Sequence, residues 1–212
     1  MTYLFKNPLK VLLAMQQHLV ITLVALSLAV AVAVPLGIFL ARRPRLVGPV
    51  LSVLSILYTI PSVSLLVLLI PLMGLGFWPT IVALVVYCQA ILVRNVVVGI
   101  RSVDAAVLEA ARGMGLSAWQ IIWQVELPLA LPIILAGVRI AAISTIAIAT
   151  VAAFFDAGGL GALIREGISQ DYSDKIWAGV LAVTLLAILF EQSLRVITRR
   201  LHHETADNQR VA

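Results

Sequence analysis

The run LVITLVALSLAVAVAVPLGIFLA, residues 19–41, decides the class of fold, because it carries no charged side chain. A helix of about 20 apolar residues is long enough to cross the hydrocarbon core of a bilayer. The rest of the chain continues this character, since 62% of its 212 residues are hydrophobic and only 12% are charged. A soluble domain is about half apolar and about a quarter charged. The composition therefore predicts a protein embedded in lipid.

Five stretches are predicted to span the membrane as helices. They are residues 19–41, 47–71, 78–98, 128–155 and 176–197. The turn-forming residues Gly74, Gly76 and Pro79 separate the second stretch from the third. The stretches are continuous rather than alternating in hydrophobicity, which favours helices over a β-barrel. We therefore expect residues 1–212 to form a single all-α transmembrane domain.

The basic residues predict the orientation, because cytoplasmic loops carry an excess of lysine and arginine. Ten arginines fall in the loop after span one, between spans three and four, and in the tail. Only Lys6, Lys10, Arg165 and Lys175 fall on the opposite side. The N-terminus is thus expected outside, with residues 101–127 and the tail, residues 198–212, in the cytoplasm. The net charge of +5 is thus explained by basic residues that orient the chain in the membrane, and no nucleic-acid partner is expected.

Residues 1–18 precede the first span and are expected to form a short helix at the membrane surface. Tyr3, Phe5 and Leu9 would lie on its apolar side. The alternative is that the first span is a cleaved signal peptide, with Lys6 and Lys10 as its basic region. The arginines that follow residue 41 favour a span that is kept.

Residues 101–127 are too polar to span the membrane and too patterned for a flexible linker. Ser102 or Asp104 can cap a first helix, which Gly113 and Gly115 are expected to end. Residues 117–120, with the sequence SAWQ, fit a capping box that begins a second helix. Leu127 and Pro128 are expected to end this second helix just before span four.

The pattern predicts a helix–turn–helix on the cytoplasmic face. Ala110, Ala111 and Gly115 would be exposed there, so that another backbone can approach closely. The alternative is a re-entrant hairpin that packs on its own bundle.

The same segment resembles the EAA loop of binding-protein-dependent ABC importer permeases, whose pattern is EAA-x3-G-x9-I-x-L-P. The matching residues are Glu109, Ala110, Ala111, Gly115, Leu127 and Pro128, and Val125 replaces the isoleucine. In that family the loop is a coupling helix that docks on a cytoplasmic ATPase. The resemblance implies this role for the matching residues and for Leu116, and it implies the five-span type I importer architecture.

A narrower resemblance points to permeases for glycine betaine, choline and carnitine. It is carried by YTIPS at residues 58–62, LPIILAGVR at residues 131–139 and AAFFDAGGLG at residues 152–161. A quaternary-ammonium osmoprotectant is the solute that this resemblance favours. Because methionine-type permeases share much of the architecture, an importer of methionine or another amino acid is the alternative. The sequence has no dense aromatic cage, so selectivity is expected to reside in the binding protein.

The chain lacks the G-x-x-x-x-G-K-[ST] phosphate loop of ATPases. ATP and Mg²⁺ are therefore expected on a partner, and no cofactor, catalytic residue or metal site is expected in this chain. Five spans are few to enclose a pathway, which favours a second identical or homologous permease. The resemblance adds two cytoplasmic ATPase subunits and an extracytoplasmic solute-binding protein, in a bacterial cytoplasmic membrane. A channel or carrier that works without a motor is the minority alternative.

Polar residues inside the spans are the candidates for the translocation pathway. They are Tyr58, Pro61, Ser62, Gln89, Ser144, Thr145 and Thr150. Hydroxyl groups in such helices also bond their own backbone or join helices, which is the alternative for each. A charge in lipid costs at least about 2.5 kcal/mol, so Arg139 is expected at a gate or between subunits. Arg94 is expected to anchor span three at the membrane interface.

Overall fold

The structure is a computed structural model that describes the backbone of residues 2–211 and the side chains of residues 3–196 and 198. Within these residues every regular element is a helix, which confirms the predicted all-α fold. The helices are α1 (Thr2–Lys6), α2 (Pro8–Ala41), α3 (Pro44–Thr59), α4 (Ser62–Met73), α5 (Phe77–Arg101), α6 (Ala105–Gly113), α7 (Ala118–Ile121), α8 (Leu127–Ala152), α9 (Leu160–Ser169) and α10 (Ser173–Val211). A π-helical turn covers Ile122–Glu126, and a 3₁₀ turn covers Ala153–Phe155. Apart from Thr198, the side chains of the predicted tail lie outside the described residues.

Four stretches of the described chain are long and apolar enough to cross a membrane as continuous helices. They are α2, α5, the stretch Ala118–Phe155, and Ser173–Val196 within α10. The predicted second span, residues 47–71, is instead divided between α3 and α4, which are bent by 92° at their junction. The total reaches five spans when this bent pair is counted as one span.

Pro61 accounts for the break between α3 and α4. Proline has no backbone N–H and disfavours a helical conformation in the residue before it, and Ile60 is accordingly extended, with ψ at 126°. The Ile60 carbonyl accepts a hydrogen bond from the Tyr87 hydroxyl of α5. Irregular backbone at membrane depth persists only where it is buried in protein or lines a cavity. Tyr87 thus replaces the partner that the broken helix cannot supply.

The predicted surface helix over residues 1–18 is wrong in its extent. Only α1 is separate, and α2 begins at Pro8 and runs without interruption into the first span. Proline is favourable at the first position of a helix. Two polar residues in the first half of α2 also find partners. The Gln17 side-chain oxygen accepts from the Gly159 N–H at 3.0 Å, and His18 Nδ1 accepts from the Leu160 N–H at 3.3 Å.

Helices α2, α5 and α8 form the centre of the bundle. Small residues allow the close approach of transmembrane helices, and two glycines show it here. A Cβ atom added at Gly137 of α8 would lie 2.6 Å from the Cβ of Asn95 on α5. A Cβ added at Gly37 of α2 would lie 2.5 Å from the Cβ of Val96, also on α5. This tight core holds α5 between the two helices that flank it.

Candidate functional site

Helix α6 forms the first half of the segment between α5 and α8. The predicted cap at its start is confirmed, because an Asp104 carboxylate oxygen accepts from the Ala106 N–H at 2.9 Å. Glu109 and Ala110 are exposed, as the docking hypothesis requires. Ala111 is only 2% exposed, so its predicted exposure is wrong. The chain turns back after the helix ends, and the Leu116 N–H donates to the Ala111 carbonyl at 3.2 Å.

Gly115 lies in the turn that ends α6, and its φ is +82°. The Gly115 N–H donates to the Arg112 carbonyl at 2.9 Å, and the Leu116 N–H donates to the Ala111 carbonyl at 3.2 Å. This pair of bonds is a Schellman motif, which requires a left-handed residue at the position of Gly115. No atom lies within 4 Å of a Cβ built there. The glycine is therefore needed for its backbone conformation rather than for space within this chain.

The predicted capping box at the start of α7 is confirmed. The Ser117 N–H donates to Gln120 Oε1 at 2.8 Å, and the Gln120 N–H donates to Ser117 Oγ at 3.4 Å. The predicted end of this helix at Leu127 and Pro128 is wrong, because the helix continues through the π turn into α8. Pro128 falls within the first turn of α8, where the missing N–H costs least. A π turn inside a helix is rare and often marks a functional site.

An ion pair ties this π turn to the end of α2. The Arg42 guanidinium donates to Glu126 Oε2 at 2.8 Å, and the Glu126 side chain is only 10% exposed. Sequence reasoning used Arg42 only for orientation and did not select Glu126. The signal that was available is a lone carboxylate at the start of an apolar span, where a cationic partner is needed.

The surface of the segment is apolar and open. Trp119 and Trp123 are 66% and 54% exposed, and their rings meet edge to face at 5.5 Å. Met114 is also exposed, in the turn beside Gly115. Exposed apolar clusters of this kind mark contact surfaces for a protein or for the membrane interface. The segment presents these rings together with Glu109 and Ala110.

Three of the predicted pathway residues meet in one place. Tyr58, Ser144 and Thr145 line a narrow crevice that is too tight to hold a water molecule, and Tyr87 and Cys88 also line it. Tyr58 and Tyr87 are in edge-to-face contact, with ring centroids 5.7 Å apart. Sequence reasoning missed Tyr87, because no local pattern distinguishes a tyrosine that packs from one that holds a helix break.

The other pathway candidates are dispersed. Pro61 and Ser62 lie at the break between α3 and α4, and Gln89 Nε2 donates to the Ala29 carbonyl of α2 at 3.2 Å. The Thr150 hydroxyl donates to the Ile146 carbonyl at 2.9 Å, and the Thr145 hydroxyl donates to the Ala141 carbonyl at 2.8 Å. Gln89 thus joins two helices, and both threonines bond their own helix.

Two arginines lie within membrane-crossing helices. Arg139 of α8 donates to Glu191 of α10 at 2.7 Å, and their side chains are 28% and 35% exposed. Arg94 of α5 donates to the Ser55 hydroxyl of α3 at 3.2 Å. Arg139 therefore joins two helices of the same chain, whereas Arg94 contacts a neutral group and is exposed.

The chain is similar to one family of transport proteins, to several curated permeases and to a solved transporter structure. Residues 33–203 match the family described as binding-protein-dependent transport system inner membrane component. The carnitine transport permease protein OpuCB of Listeria monocytogenes is 41% identical over 200 residues, covering 94% of this chain and 92% of that protein. The glycine betaine/carnitine/choline transport system permease protein OpuCB of Bacillus subtilis is 40% identical with the same coverage. A chain of the inward-facing MetNI methionine ABC transporter superposes with a TM-score of 0.79 at 25% identity, covering 88% of this chain and 93% of that one.

Proposed function

Because this chain belongs to the family of binding-protein-dependent transport system inner membrane components, we propose that it forms the pathway of an importer for a quaternary-ammonium osmoprotectant. It is a multi-pass membrane permease of the ABC importer type and is not itself catalytic. A separate ATPase supplies the energy.

The observation that carries the proposal is the exposed segment from Asp104 to Trp123. It follows α5, it is capped at the starts of α6 and α7, and it exposes Trp119 and Trp123. A rigid, apolar surface of this kind is suited to insert into a groove of a partner protein. We assign ATPase coupling to Glu109, Ala110, Gly115 and Leu116, with Ala111, Leu127 and Pro128 supporting the geometry.

The proposed solute is inferred from the solutes that the relatives of this chain transport. Their names give carnitine, glycine betaine and choline as what those proteins transport. The structural neighbour is a methionine transporter, which keeps an amino acid as the second candidate. An osmoprotectant is preferred as the solute because the osmoprotectant permeases are 40–41% identical to this chain. The methionine transporter is 25% identical.

The proposed assembly pairs this chain with a second permease, two cytoplasmic ATPases and an external solute-binding protein. The N-terminus lies outside and the C-terminus lies in the cytoplasm of a bacterium. When ATP draws the two ATPases together, each coupling segment moves with its ATPase. The π turn and the Arg42–Glu126 pair pass this movement to α8 and α2, so that the paired bundles alternate between inward and outward access.

Reconstitution in liposomes tests this function. The permease is assembled with its ATPase and binding protein, and uptake of radiolabelled glycine betaine, choline and methionine is measured with and without ATP. ATP-dependent uptake of a quaternary-ammonium solute is expected. Uptake of methionine alone would contradict the solute, and flux through the permease without an ATPase would contradict the motor-driven mechanism.

A further inference from the structure

An open apolar groove of about 440 Å³ lies between α2 and α8. Val30 and Val34 line it from α2, and Leu127, Leu131 and Val138 line it from α8. Every residue that lines it is apolar. Leu127 and Val138 are about 16 Å apart along the helix axis, so the groove is elongated in the direction of the bundle.

The groove begins beside the exposed segment that precedes α8. Trp123, which is 54% exposed, lines it there. Tryptophan is enriched where a membrane protein passes from the hydrocarbon core into the head groups. The groove therefore extends from the membrane interface into the hydrocarbon. It is separate from the crevice beside Tyr58, because no described side chain lines both.

A basic cavity lies at the same end of the bundle. Arg42, Arg43 and Arg45 line a space of about 400 Å³ where α2 turns into α3. Arg42 connects this cavity with the groove, because it donates to Glu126 at 2.8 Å. Glu126 directly precedes Leu127, which lines the groove. The basic cavity and the apolar groove are thus linked by one ion pair.

Arg43 and Arg45 supply positive charge that is not neutralised nearby. Both are exposed, and neither forms an ion pair with any side chain that the structure describes. Residues 19–103 contain no aspartate or glutamate. The Arg43 guanidinium lies 5.6 Å from the centroid of the Phe39 ring, which holds it beside the end of α2. Guanidinium groups bind phosphate through paired hydrogen bonds, so these two arginines are suited to a phosphate group.

We propose that the groove holds an acyl chain of an anionic phospholipid and that Arg43 and Arg45 bind its phosphate. Basic pockets between transmembrane helices on the cytoplasmic side bind acidic lipid head groups, and the proposed orientation places this end of the bundle there. A soluble anion would contact the arginines but not the groove. A zwitterionic lipid would gain less from the two cations. Trp119 does not line the groove and stays available for the proposed contact with the ATPase.

Quenching of Trp123 fluorescence by brominated lipids tests the site in the full chain. Replacing Trp78, Trp119 and Trp177 by phenylalanine leaves Trp123 as the single tryptophan. The protein is placed in vesicles of phosphatidylglycerol and phosphatidylcholine, with bromine on the acyl chains of one lipid or of the other. Each arginine near a membrane surface strengthens binding of an anionic lipid by about fivefold. Trp123 is therefore expected to prefer phosphatidylglycerol by at least about fivefold.

A second single-tryptophan protein gives the reference for ordinary lipid contact. Trp78 lies at the opposite end of α5 from Arg101 and is 63% exposed. Residues 46–93 carry no charged side chain. A protein that keeps only Trp78 is therefore expected to show no preference between the two lipids.

The phosphate contact is tested by removing the two arginines together. Arg43→Gln combined with Arg45→Gln is expected to abolish the preference of Trp123 for phosphatidylglycerol. Lys10→Gln is the control, because it removes an exposed cation near the opposite end of α2. The control is expected to keep the preference unchanged.

The acyl-chain contact is tested by filling the groove. Val34→Phe is expected to lower quenching by brominated phosphatidylglycerol to the level of brominated phosphatidylcholine. Val32→Phe makes the same change on α2 at a residue that is 51% exposed and does not line the groove, so it is expected to have no effect. Circular dichroism checks the fold of every variant, and the arginine variant decides if Val34→Phe does not fold.

Three results would overturn the site. The first is equal quenching of Trp123 by the two lipids, and the second is a preference that survives the loss of both arginines or the filled groove. The third is weak quenching of Trp123 by both lipids while Trp78 is quenched normally, because a protein such as a second copy of the chain would then cover the groove. These measurements involve no solute or ATP, so their failure leaves the proposed function intact.

Discussion

The segment between α5 and α8 and the broken pair α3–α4 differ in what holds them together. The first is fixed by bonds between residues two to five apart, such as Asp104 to Ala106 and Leu116 to Ala111. The second is fixed by bonds between distant residues, such as Tyr87 to Ile60 and Arg94 to Ser55. The proposed coupling segment is therefore built from local bonds, whereas the proposed pathway region depends on contacts between helices.

The largest effect is expected where a buried charge joins the local segment to a distant helix. Arg42→Ala leaves the carboxylate of Glu126, whose side chain is only 10% exposed, without its cation and is expected to destabilise the protein by about 3 kcal/mol, as for other broken buried ion pairs. The partial exposure of Arg42 keeps the cost near this lower limit. Thermal unfolding of the purified permease in detergent, followed by circular dichroism, measures the change.

The matched control exchanges the two charges. Arg42→Glu combined with Glu126→Arg restores an ion pair and is expected to recover part of the lost stability. If the double variant is as unstable as the sum of its single variants, the pair makes no direct contribution.

The second prediction concerns the helix break. Tyr87→Phe leaves the Ile60 carbonyl without its donor and is expected to cost about 2 kcal/mol, the penalty for an unsatisfied buried group. The same unfolding measurement applies. Tyr172→Phe serves as control, because it removes a hydroxyl from a partly exposed tyrosine outside the break. Equal stability of Tyr87→Phe and wild type would mean that Pro61 alone sets the bend.

The third prediction tests the turn after α6. Gly115→Ala places a side chain at a φ of +82° and is expected to cost about 1 kcal/mol. Gly113→Ala is the matched control, since Gly113 is the last residue of α6, lies outside the left-handed region and also has open space around a Cβ. The control is expected to be neutral or slightly stabilising. Co-purification with the ATPase should fall only for Gly115→Ala, and a parallel loss in Gly113→Ala would indicate a steric contact with the partner instead.

The smallest effect is expected at a single local cap. Asp104→Ala removes the acceptor of the Ala106 N–H and is expected to cost about 0.5–1 kcal/mol, while Asp104→Ser keeps a cap and is expected to cost little. Hydrogen exchange of the first-turn amides of α6 measures the fraying directly. Unchanged exchange in Asp104→Ala would mean that the partner helices, and not the cap, fix this end.

The sequence predicted those features that depend on near neighbours. The cap at Asp104, the capping box at Ser117 and the membrane-crossing helices follow from short patterns, and the structure has them. Two expectations were wrong for a common reason. The continuation past Pro128 and the burial of Ala111 each depend on backbone groups that find partners through a turn.

In the candidate site as well, contacts between residues distant in sequence could not be predicted. The resemblance predicts the coupling residues from their spacing, but the partners of Glu126, Tyr87 and Arg94 lie 84, 27 and 39 residues away. An isolated charge or hydroxyl in an apolar run signals that a partner exists. It does not say which one, because helix packing sets the choice.

The residues from Ala118 to Phe155 form one continuous helical stretch. Its 38 residues extend about 55 Å, which is more than the thickness of the bilayer. Gly137 approaches Asn95 of α5 closely near the middle of this stretch. We therefore expect a sideways displacement of the tryptophan end to move the opposite end, beside Gly158 and Gly159, in the opposite direction.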